Sequence, residues 1–361
     1  MPELLTIEGE LGDVLDHYAD QGWTDGLPIV PPTEAAVAAA LEYTDLDPHE
    51  SLGRIPATRA EATVHNVAVN AVMAGCKPEY LPVVLAAVRG LAHADFNTFG
   101  IQATTNPVAV MVMVNGPIAD ELGFNGKGNC LGQGFRPNAT VGRAVRLCMM
   151  NIGGGAPQTM DKATQGQPGK YGMCIAENEA ESPWQPFHVE RGYDAETSAV
   201  SLFSVTGTQN VLDLASRGAI GILRTFASAA ATVGHQNVQL GGGPLIIFCP
   251  EHAQILSEDG FTKQDVREFL YEHARVRVSD FPPETLNGMV RHRRPKRYLS
   301  DHPDAGIPLA DSPGEINIVV AGGAGPHSVV SPSFGEATMV PVNPITLKDG
   351  TPVKSVMEFR Y

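Results

Sequence analysis

The chain has 361 residues, of which 43% are hydrophobic and 18% are charged, and its formal net charge is -15. This composition is typical of a soluble globular protein with one large domain or two ordinary ones. The acidic balance disfavours nucleic acid as a partner, and apolar runs far shorter than the roughly 20 residues of a spanning helix disfavour a membrane protein. The start, Met-Pro-Glu-Leu-Leu, lacks the pattern of a signal peptide, so we expect a cytoplasmic protein.

The first part of the chain predicts helices before any strand. Apolar residues at helical spacing indicate a helix over 11–18, and Trp23 to Pro32 is expected to form an extended arm across the body or toward another subunit. Thr33 is suited to cap a helix over 34–43. Further helices are expected over 60–74, stopped by Gly75, and over 78–92.

Strands followed by proline-initiated helices recur along the chain. The apolar run 108–114 predicts a buried strand, followed by a short helix that ends near Gly123. A helix over 220–233 then leads to a strand over 245–249. The helix that follows begins at Pro250 and is expected to be about four residues longer than the short helix that ends near Gly123. A last strand over 316–320 enters a glycine turn, so ligand-binding loops are expected at one side of a sheet.

This recurrence predicts an α/β fold with a mainly parallel or mixed sheet and helices on both faces. It suggests two related α/β halves, although the same pattern also recurs by chance in α/β proteins. We expect an N-terminal arm with helices over 1–60, a first half with a glycine-rich loop over 61–200 and a second half over 201–361.

The densest group of glycines and polar residues begins at Asn125 and continues into a predicted helix over 138–146. Its glycines match neither a phosphate-binding P-loop nor the dinucleotide fingerprint. Glycine backbone and a helix N-terminus suit an anionic carboxylate or phosphate, whereas the alternative is a loop needed only for backbone packing. The candidate substrate-binding residues here are Asn125, Lys127, Gly132, Gly134, Arg136, Asn138, Lys170 and Tyr171.

A second candidate nest follows the last strand. Gly323 and Gly325 lie in this turn, His327 is a candidate base or ligand, and Ser328 is a candidate contact for a polar substrate group.

Candidate acids and bases cluster after residue 176. Glu177 and Glu179 share a face if the segment is extended, and paired carboxylates raise one pKa toward neutrality. His188 and Glu190 share a face of a predicted strand, and with a third group they would also suit a divalent metal. The alternative is a salt-bridged surface strand. The sequence names no cofactor and no specific metal site.

Five cysteines without a CxxC pair argue against a disulfide framework, and most are expected to be small buried residues. Cys76 is a candidate nucleophile because it lies beside Lys77 and next to a helix start, where a thiol can ionise, or it is a buried structural thiol. His252 and the other histidines in predicted helices are expected to be packed or surface residues.

Several of these segments together resemble an uncharacterised bacterial family associated with UGSC-motif (seleno)proteins, distantly related to the B-type subunit of glycine reductase. The segments are 23–33, 74–80, 138–143, 161–164, 168–171 and 177–179. The chain lacks the Gly-Ser-Cys core of that motif. The resemblance therefore implies a companion protein in a hetero-complex with a thiol or selenol partner, and it implies no particular reaction.

These observations predict an enzyme that acts on a small anionic molecule by lyase-like or hydrolytic acid–base chemistry, as a homo-oligomer or in a hetero-complex. The alternative is a non-catalytic or redox subunit that supports a thiol-dependent partner protein. Both hypotheses assume that the glycine-rich and ionisable segments meet around one cavity.

Overall fold

A computed structural model describes residues 5–295, 298, 306–335 and 339–360. The first four residues, part of the segment from which we expect no signal peptide, lie outside the described residues. The helices are α1 (Leu11–Asp20), α2 (Glu34–Leu41), α3 (Val64–Ala74), α4 (Leu81–Ala92), α5 (Thr98–Ala103), α6 (Pro117–Glu121), α7 (Arg136–Asn151), α8 (Phe187–Glu190), α9 (Ala219–Ala230), α10 (Gln236–Leu240), α11 (Pro250–Glu258), α12 (Lys263–His273), α13 (Pro283–Thr285) and α14 (Arg291–Arg293). None of these helices is both long and apolar enough to cross a membrane.

Within the described residues, the strands form two four-stranded and two two-stranded sheets. They are β1 (Ser51–Ile55), β2 (Ala60–Thr63), β3 (Ala109–Asn115), β4 (Cys174–Ala176), β5 (Ala199–Val205), β6 (Gln209–Leu212), β7 (Leu245–Phe248), β8 (Arg275–Arg277), β9 (Gly306–Pro308), β10 (Asn317–Val320), β11 (His327–Ser331) and β12 (Val342–Pro344). The first sheet has the order β12-β5-β3-β4 and the second has the order β10-β7-β11-β6, while β1-β2 and β8-β9 are the two-stranded sheets.

The two large sheets share one pairing pattern. Strand β3 pairs parallel with β4 and antiparallel with β5, and β7 likewise pairs parallel with β10 and antiparallel with β11. The fourth strand of each sheet is exchanged: β6, which follows β5, pairs with β11, whereas β12, which follows β11, pairs with β5. The sheets are therefore related in topology and interlocked, and the predicted boundaries at residues 60 and 200 stay a prediction.

The elements stack in four layers. One face of the first sheet packs on α3, α4 and α7, and the corresponding face of the second sheet packs on α9, α11 and α12. The inner faces meet in a third core to which Met111 and Phe203 contribute from one sheet and Ile247 and Val319 from the other. The predicted α/β class with mixed sheets is confirmed, with helices on both outer faces of the paired sheets.

Most local predictions hold within a few residues. The helix after β3 has 5 residues and the helix after β7 has 9, which confirms the four-residue difference. The prediction of helix from residue 60 is wrong because residues 60–63 pair with β1, and Thr63 then caps α3 by accepting a hydrogen bond from Asn66 N. The predicted strand at 188–190 is also wrong, since Phe187–Glu190 is helical.

The N-terminal arm lies on its own chain. Arg143 on α7 binds the Asp25 carboxylate through two 2.8 Å hydrogen bonds and also donates to the Pro28 carbonyl at 2.9 Å. Asn151 at the end of α7 donates to the Trp23 carbonyl. These contacts attach the arm to α7 and commit Arg143 to it rather than to a ligand.

Candidate functional site

Loops from both sheets meet at the carboxyl ends of β4 and β10. The Asn178 amide nitrogen donates to the Val320 carbonyl at 2.8 Å, and the Gly322 nitrogen donates to the Gly126 carbonyl at 2.8 Å. The chains approach so closely that a Cβ on Gly126 would lie 2.6 Å from the Ala176 carbonyl oxygen. Parts of the glycine loop, of the acidic segment after β4 and of the second glycine turn therefore meet, as the sequence predicted. The approach is possible at Gly126 because glycine has no side chain.

A cavity of about 530 Å³ opens beside this junction, and we refer to it as cavity one. Its lining includes Asn125 and Lys127 from the glycine loop and Glu177 and Glu179 after β4. Asp120 and Glu196 also line it, so four acidic residues face one lysine. An acidic lining disfavours a free anion and favours a neutral polar or cationic group.

Asn115, the last residue of β3, joins the two glutamates. Its Nδ2 donates to Glu177 Oε2 at 2.7 Å and to Glu179 Oε1 at 2.8 Å. Glu177 Oε2 also accepts from the Phe187 nitrogen at 2.7 Å, and Glu179 Oε1 accepts from the Gly116 nitrogen at 2.8 Å. The pair of carboxylates is thus held in place by one amide and two backbone donors.

The two carboxyl groups differ in exposure. The Glu177 side chain is fully buried, and this burial raises its pKa even though Lys263, the Phe187 amide and Asn115 act to lower it. Glu179 is only partly buried and begins a short 3₁₀ turn, 179–181, at the cavity wall. Glu179 is therefore the carboxylate placed to meet a ligand, with Glu177 behind it.

Behind Glu177 lies an ion-pair network that the sequence did not reveal. Lys263 Nζ, at the start of α12, lies 2.9 Å from Glu190 Oε2 and 3.8 Å from Glu177 Oε1, and Arg267 lies 3.1 Å from Glu190. Glu190 is therefore engaged by two cations and does not reach cavity one. His188 is fully buried, and neither ring nitrogen has a hydrogen-bond partner among the described residues.

The other predicted residues of the glycine loop have mainly structural contacts. Asn138 Oδ1 accepts from the Asn125 nitrogen and its Nδ2 donates to the Asn125 carbonyl, which fixes the loop on α7. Gly132 and Asn138 line a separate cavity of about 250 Å³, and Gly134 has a positive φ of 114°. Arg136 donates to the Gly75 carbonyl, so its predicted contact with a ligand in cavity one is not made.

Lys170 and Tyr171 line a different, larger cavity of about 1140 Å³, which we refer to as cavity two. Lys170 Nζ lies 2.7 Å and Arg146 lies 2.6 Å from Asp161 Oδ2, so one carboxylate is shared by two cations. These two cations hold the pKa of Asp161 below its usual range despite burial, which would raise it. The predicted single cavity is therefore divided: the glutamates belong to one space and Lys170 and Tyr171 to another.

Cys76 does not have the surroundings that its predicted nucleophilic role requires. Burial raises the pKa of its thiol to about 12, against smaller opposing effects of a Thr140 hydrogen bond and of Arg136 and Arg143. Lys77, the expected neighbouring cation, is instead 3.4 Å from Glu79. The thiolate that the hypothesis assumed is strongly disfavoured at neutral pH.

The second glycine turn contributes to the junction through its backbone. A Cβ on Gly323 would lie 2.8 Å from the Gly128 Cα, and Gly325 has a φ of 121°. His327 is exposed and its Nδ1 lies 3.1 Å from Asn210 Oδ1. Ser328 is buried, and its hydroxyl contacts Cys249 and His252, two residues that sequence reasoning treated as packing groups.

Neither a metal cluster nor a known relative provides an identity for the site. Among the described residues, no three His, Cys, Asp or Glu side chains are grouped so that they could hold a metal ion. Searches against protein-family models, curated proteins and solved structures find no match to this chain.

Proposed function

We propose that this protein is an enzyme that transfers a proton on a small polar molecule bound in cavity one. The observation that carries the proposal is the pair of glutamates whose carboxylates accept from the same Asn115 amide at the wall of a cavity. Glu179 takes or gives the proton, because it is the partly exposed member of the pair. The reaction class is lyase-like or hydrolytic, since both need a general acid or base.

Glu177 influences the ionisation of Glu179 because the two carboxyl groups are neighbours on the same Asn115 amide. Burial raises the pKa of Glu177 while Lys263, the Phe187 amide and Asn115 act to lower it, so the surroundings of this carboxyl group control how strongly it repels charge on Glu179. Asn115 and the Gly116 amide fix the direction of the Glu179 carboxylate, so that little reorganisation is needed during proton transfer. Lys127 is the cation that lines the same space and is suited to contact a carbonyl or carboxylate of the substrate.

The substrate class follows from the charges. Four acidic residues and one lysine line cavity one, so the substrate presents a neutral polar or cationic part toward Glu179. This proposal departs from the purely anionic substrate expected from the sequence, and a zwitterion would satisfy both Lys127 and the acidic wall.

The test is a turnover screen in which the purified chain is incubated with a pool of small polar metabolites and followed by mass spectrometry. We expect substrate loss and product gain with the wild type, and a rate lowered about 100-fold or more in Glu179→Gln. Glu181→Gln is the matched control, because Glu181 belongs to the same short turn as Glu179 but is exposed and is not among the residues that line the cavity. An equal rate in Glu179→Gln would reject the role of Glu179, and the absence of any turnover would reject the enzyme.

A second candidate function, binding of an anionic ligand in cavity two, is favoured by the charge there. Arg146, Lys162 and Lys170 face Asp25 and Asp161, and Asp25 is already bound by Arg143. This local excess of positive charge contrasts with a chain of net charge -15. Calorimetric titration with inorganic phosphate and with a carboxylic acid tests it: Arg146→Gln should weaken binding at least tenfold, whereas Arg54→Gln, an exposed control, should not.

A further inference from the structure

Cys249 lies where the second sheet meets a helix. It follows β7 directly and is the N-cap of α11, where its Sγ accepts a hydrogen bond from the His252 nitrogen at 3.4 Å. A thiol at this position sits at the partly positive end of a nine-residue helix. This strand–cysteine–helix arrangement presents the sulfur at the carboxyl end of the sheet.

The side chains of Ser328 and His252 lie next to Cys249 and contact each other. The Ser328 hydroxyl accepts from the Cys249 nitrogen at 2.9 Å and lies 2.8 Å from His252 Nδ1. His252 Nε2 lies 3.3 Å from the Asp213 carbonyl oxygen, an acceptor that orients the ring. Cys249, His252 and Ser328 are each at most 2% exposed, so none of these contacts competes with bulk water.

We propose that Cys249 is a nucleophilic thiolate, with His252 as its proton partner, and that this site reacts with small molecules carrying an electrophilic carbon. A nucleophile, a base beside it and a third group that orients the base are the parts of a catalytic triad. Here the parts are Cys249, His252 and the Asp213 carbonyl, and the Ser328 hydroxyl lies between the Cys249 backbone nitrogen and the His252 ring. This site is separate from the glutamates of cavity one.

The electrostatics of the five cysteines agree with this assignment. Burial acts to raise the pKa of Cys249, but hydrogen bonds from His252 and Ser328 outweigh it and the pKa is lowered. Burial raises the pKa of each of the other four thiols. The pKa of His252 is raised, because its interactions with Cys249 outweigh the opposite effect of burial.

The titratable groups that act on this pair come from two elements. His252 is on α11, and Asp213 follows β6 with a carboxylate that accepts from the hydroxyls of Ser216 and Thr225. Despite some desolvation, these bonds and the backbone donors lower the pKa of Asp213 to about 2, so its charge is constant across the neutral range. Strand β11 contributes the uncharged Ser328.

A glycine turn packs against Cys249. A Cβ on Gly322 would lie 3.9 Å from both Cα and Cβ of Cys249, so this turn is in contact with the cysteine, and Ala324 within it is exposed. The absence of side chains at Gly322 and Gly323 limits what must move for a small reagent to reach the sulfur.

The chemical step is a substitution. The thiolate electron pair forms an S–C bond, the leaving group departs with the electrons of the bond that breaks, and the proton that His252 took from the thiol passes to that leaving group. The net change converts a thiol and R–X into a thioether or thioester and HX, so no external oxidant or reductant is needed.

The test follows iodoacetamide alkylation of the folded wild type at a series of pH values, with mass-spectrometric quantification of all five cysteines. Because Cys148 and Cys174 are buried thiols with raised pKa values, they act as internal controls for unfolding. At neutral pH we expect Cys249 to react at least about tenfold faster than either control, with a midpoint below the roughly 8.5 of an ordinary thiol.

His252→Gln should move that midpoint upward and slow Cys249 at neutral pH, and Ser328→Ala should do so less strongly. Near-ultraviolet circular dichroism checks that both variants fold. The proposal is overturned if Cys249 of the wild type reacts as slowly as Cys148, a result that can be obtained without any variant. It is also overturned if His252→Gln folds and leaves the pH dependence of Cys249 alkylation unchanged.

Discussion

The two strand ends on the related sheets carry different chemistry on the same framework. Val114 is in parallel register with Ala176 and Phe248 is in parallel register with Val320, so Asn115 and Cys249 occupy equivalent positions one residue later. Asn115 binds two carboxylates, whereas Cys249 Sγ accepts from the His252 backbone nitrogen and the Cys249 nitrogen donates to the Ser328 hydroxyl, which contacts the His252 ring. The comparison shows that the shared pairing pattern fixes where a functional side chain stands, and that long-range contacts decide what it can do.

The difference extends to what surrounds each position. The first strand end opens on a cavity of about 530 Å³, whereas at the second the glycine turn packs against Cys249, which is nearly fully buried. The sites are also joined, because α12 of the second sheet supplies Lys263 to the glutamates behind the first. Variants can therefore show whether the sites at Asn115 and Cys249 act independently or depend on each other.

The largest effect is expected from Lys263→Met. Lys263 has a nearly buried side chain between Glu177 and Glu190, and its removal leaves buried negative charge without a full partner. We expect a loss of about 3–5 kcal/mol in the free energy of unfolding, measured with urea. Lys354→Met, which removes an exposed ion pair with Glu196, is the control and should change stability by under about 1 kcal/mol. Similar losses in both variants would contradict the idea that Lys263 stabilises the buried carboxylates of Glu177 and Glu190.

Gly126→Ala tests the close approach of the two loops. The added Cβ would lie 2.6 Å from the Ala176 carbonyl oxygen and 2.9 Å from the Glu177 carbonyl carbon, and backbone cannot move aside as a flexible side chain can. We expect a loss of about 3 kcal/mol, the upper end for overpacking. Gly207→Ala has open space around the added Cβ and should be neutral within about 0.5 kcal/mol. A neutral Gly126→Ala would mean that the junction is looser than described.

Sequence reasoning could predict the framework better than the sites. Periodicity and proline positions indicated the strands that became β3, β7 and β10 and the longer helix at Pro250, because these signals are local. Cys249 and His252 are three residues apart in sequence, which was the one available sign of a dyad, but Ser328 is 76 residues beyond His252. Lys170 and Glu177 are close in sequence yet face different cavities, because β4 runs between them.

His235 provides a way to separate the effect of pH on folding from its effect on Cys249. This buried histidine has no hydrogen-bond partner for either ring nitrogen in the described part of the chain, and burial lowers its pKa to about 4. The unfolded state therefore binds a proton that the folded state does not between about pH 6.5 and 4, so stability present above this range is lost as pH falls through it.

We expect His235→Gln to reduce the acid sensitivity of the wild type by about 2 kcal/mol between pH 7 and 5, compared by urea unfolding at each pH. His49→Gln, a control for histidine loss at a residue that is not fully buried, should leave the difference between the two pH values nearly unchanged. An identical pH dependence in wild type and His235→Gln would show that His235 is already charged in the folded protein.

The smallest change in stability is expected from Cys249→Ser, and it separates the structural role of this residue from its reactivity. Serine keeps an acceptor at the helix N-cap for the His252 nitrogen, so we expect stability within about 1 kcal/mol of the wild type. Cys249→Ala removes the cap acceptor and should be less stable than the serine variant by about 1 kcal/mol. If alanine proved the more stable replacement, the cap would contribute little and the position would depend on apolar packing. If the expected order holds, capping explains only the stability of this strand end, and the presence of sulfur rather than oxygen there has to be explained by chemistry at the thiol.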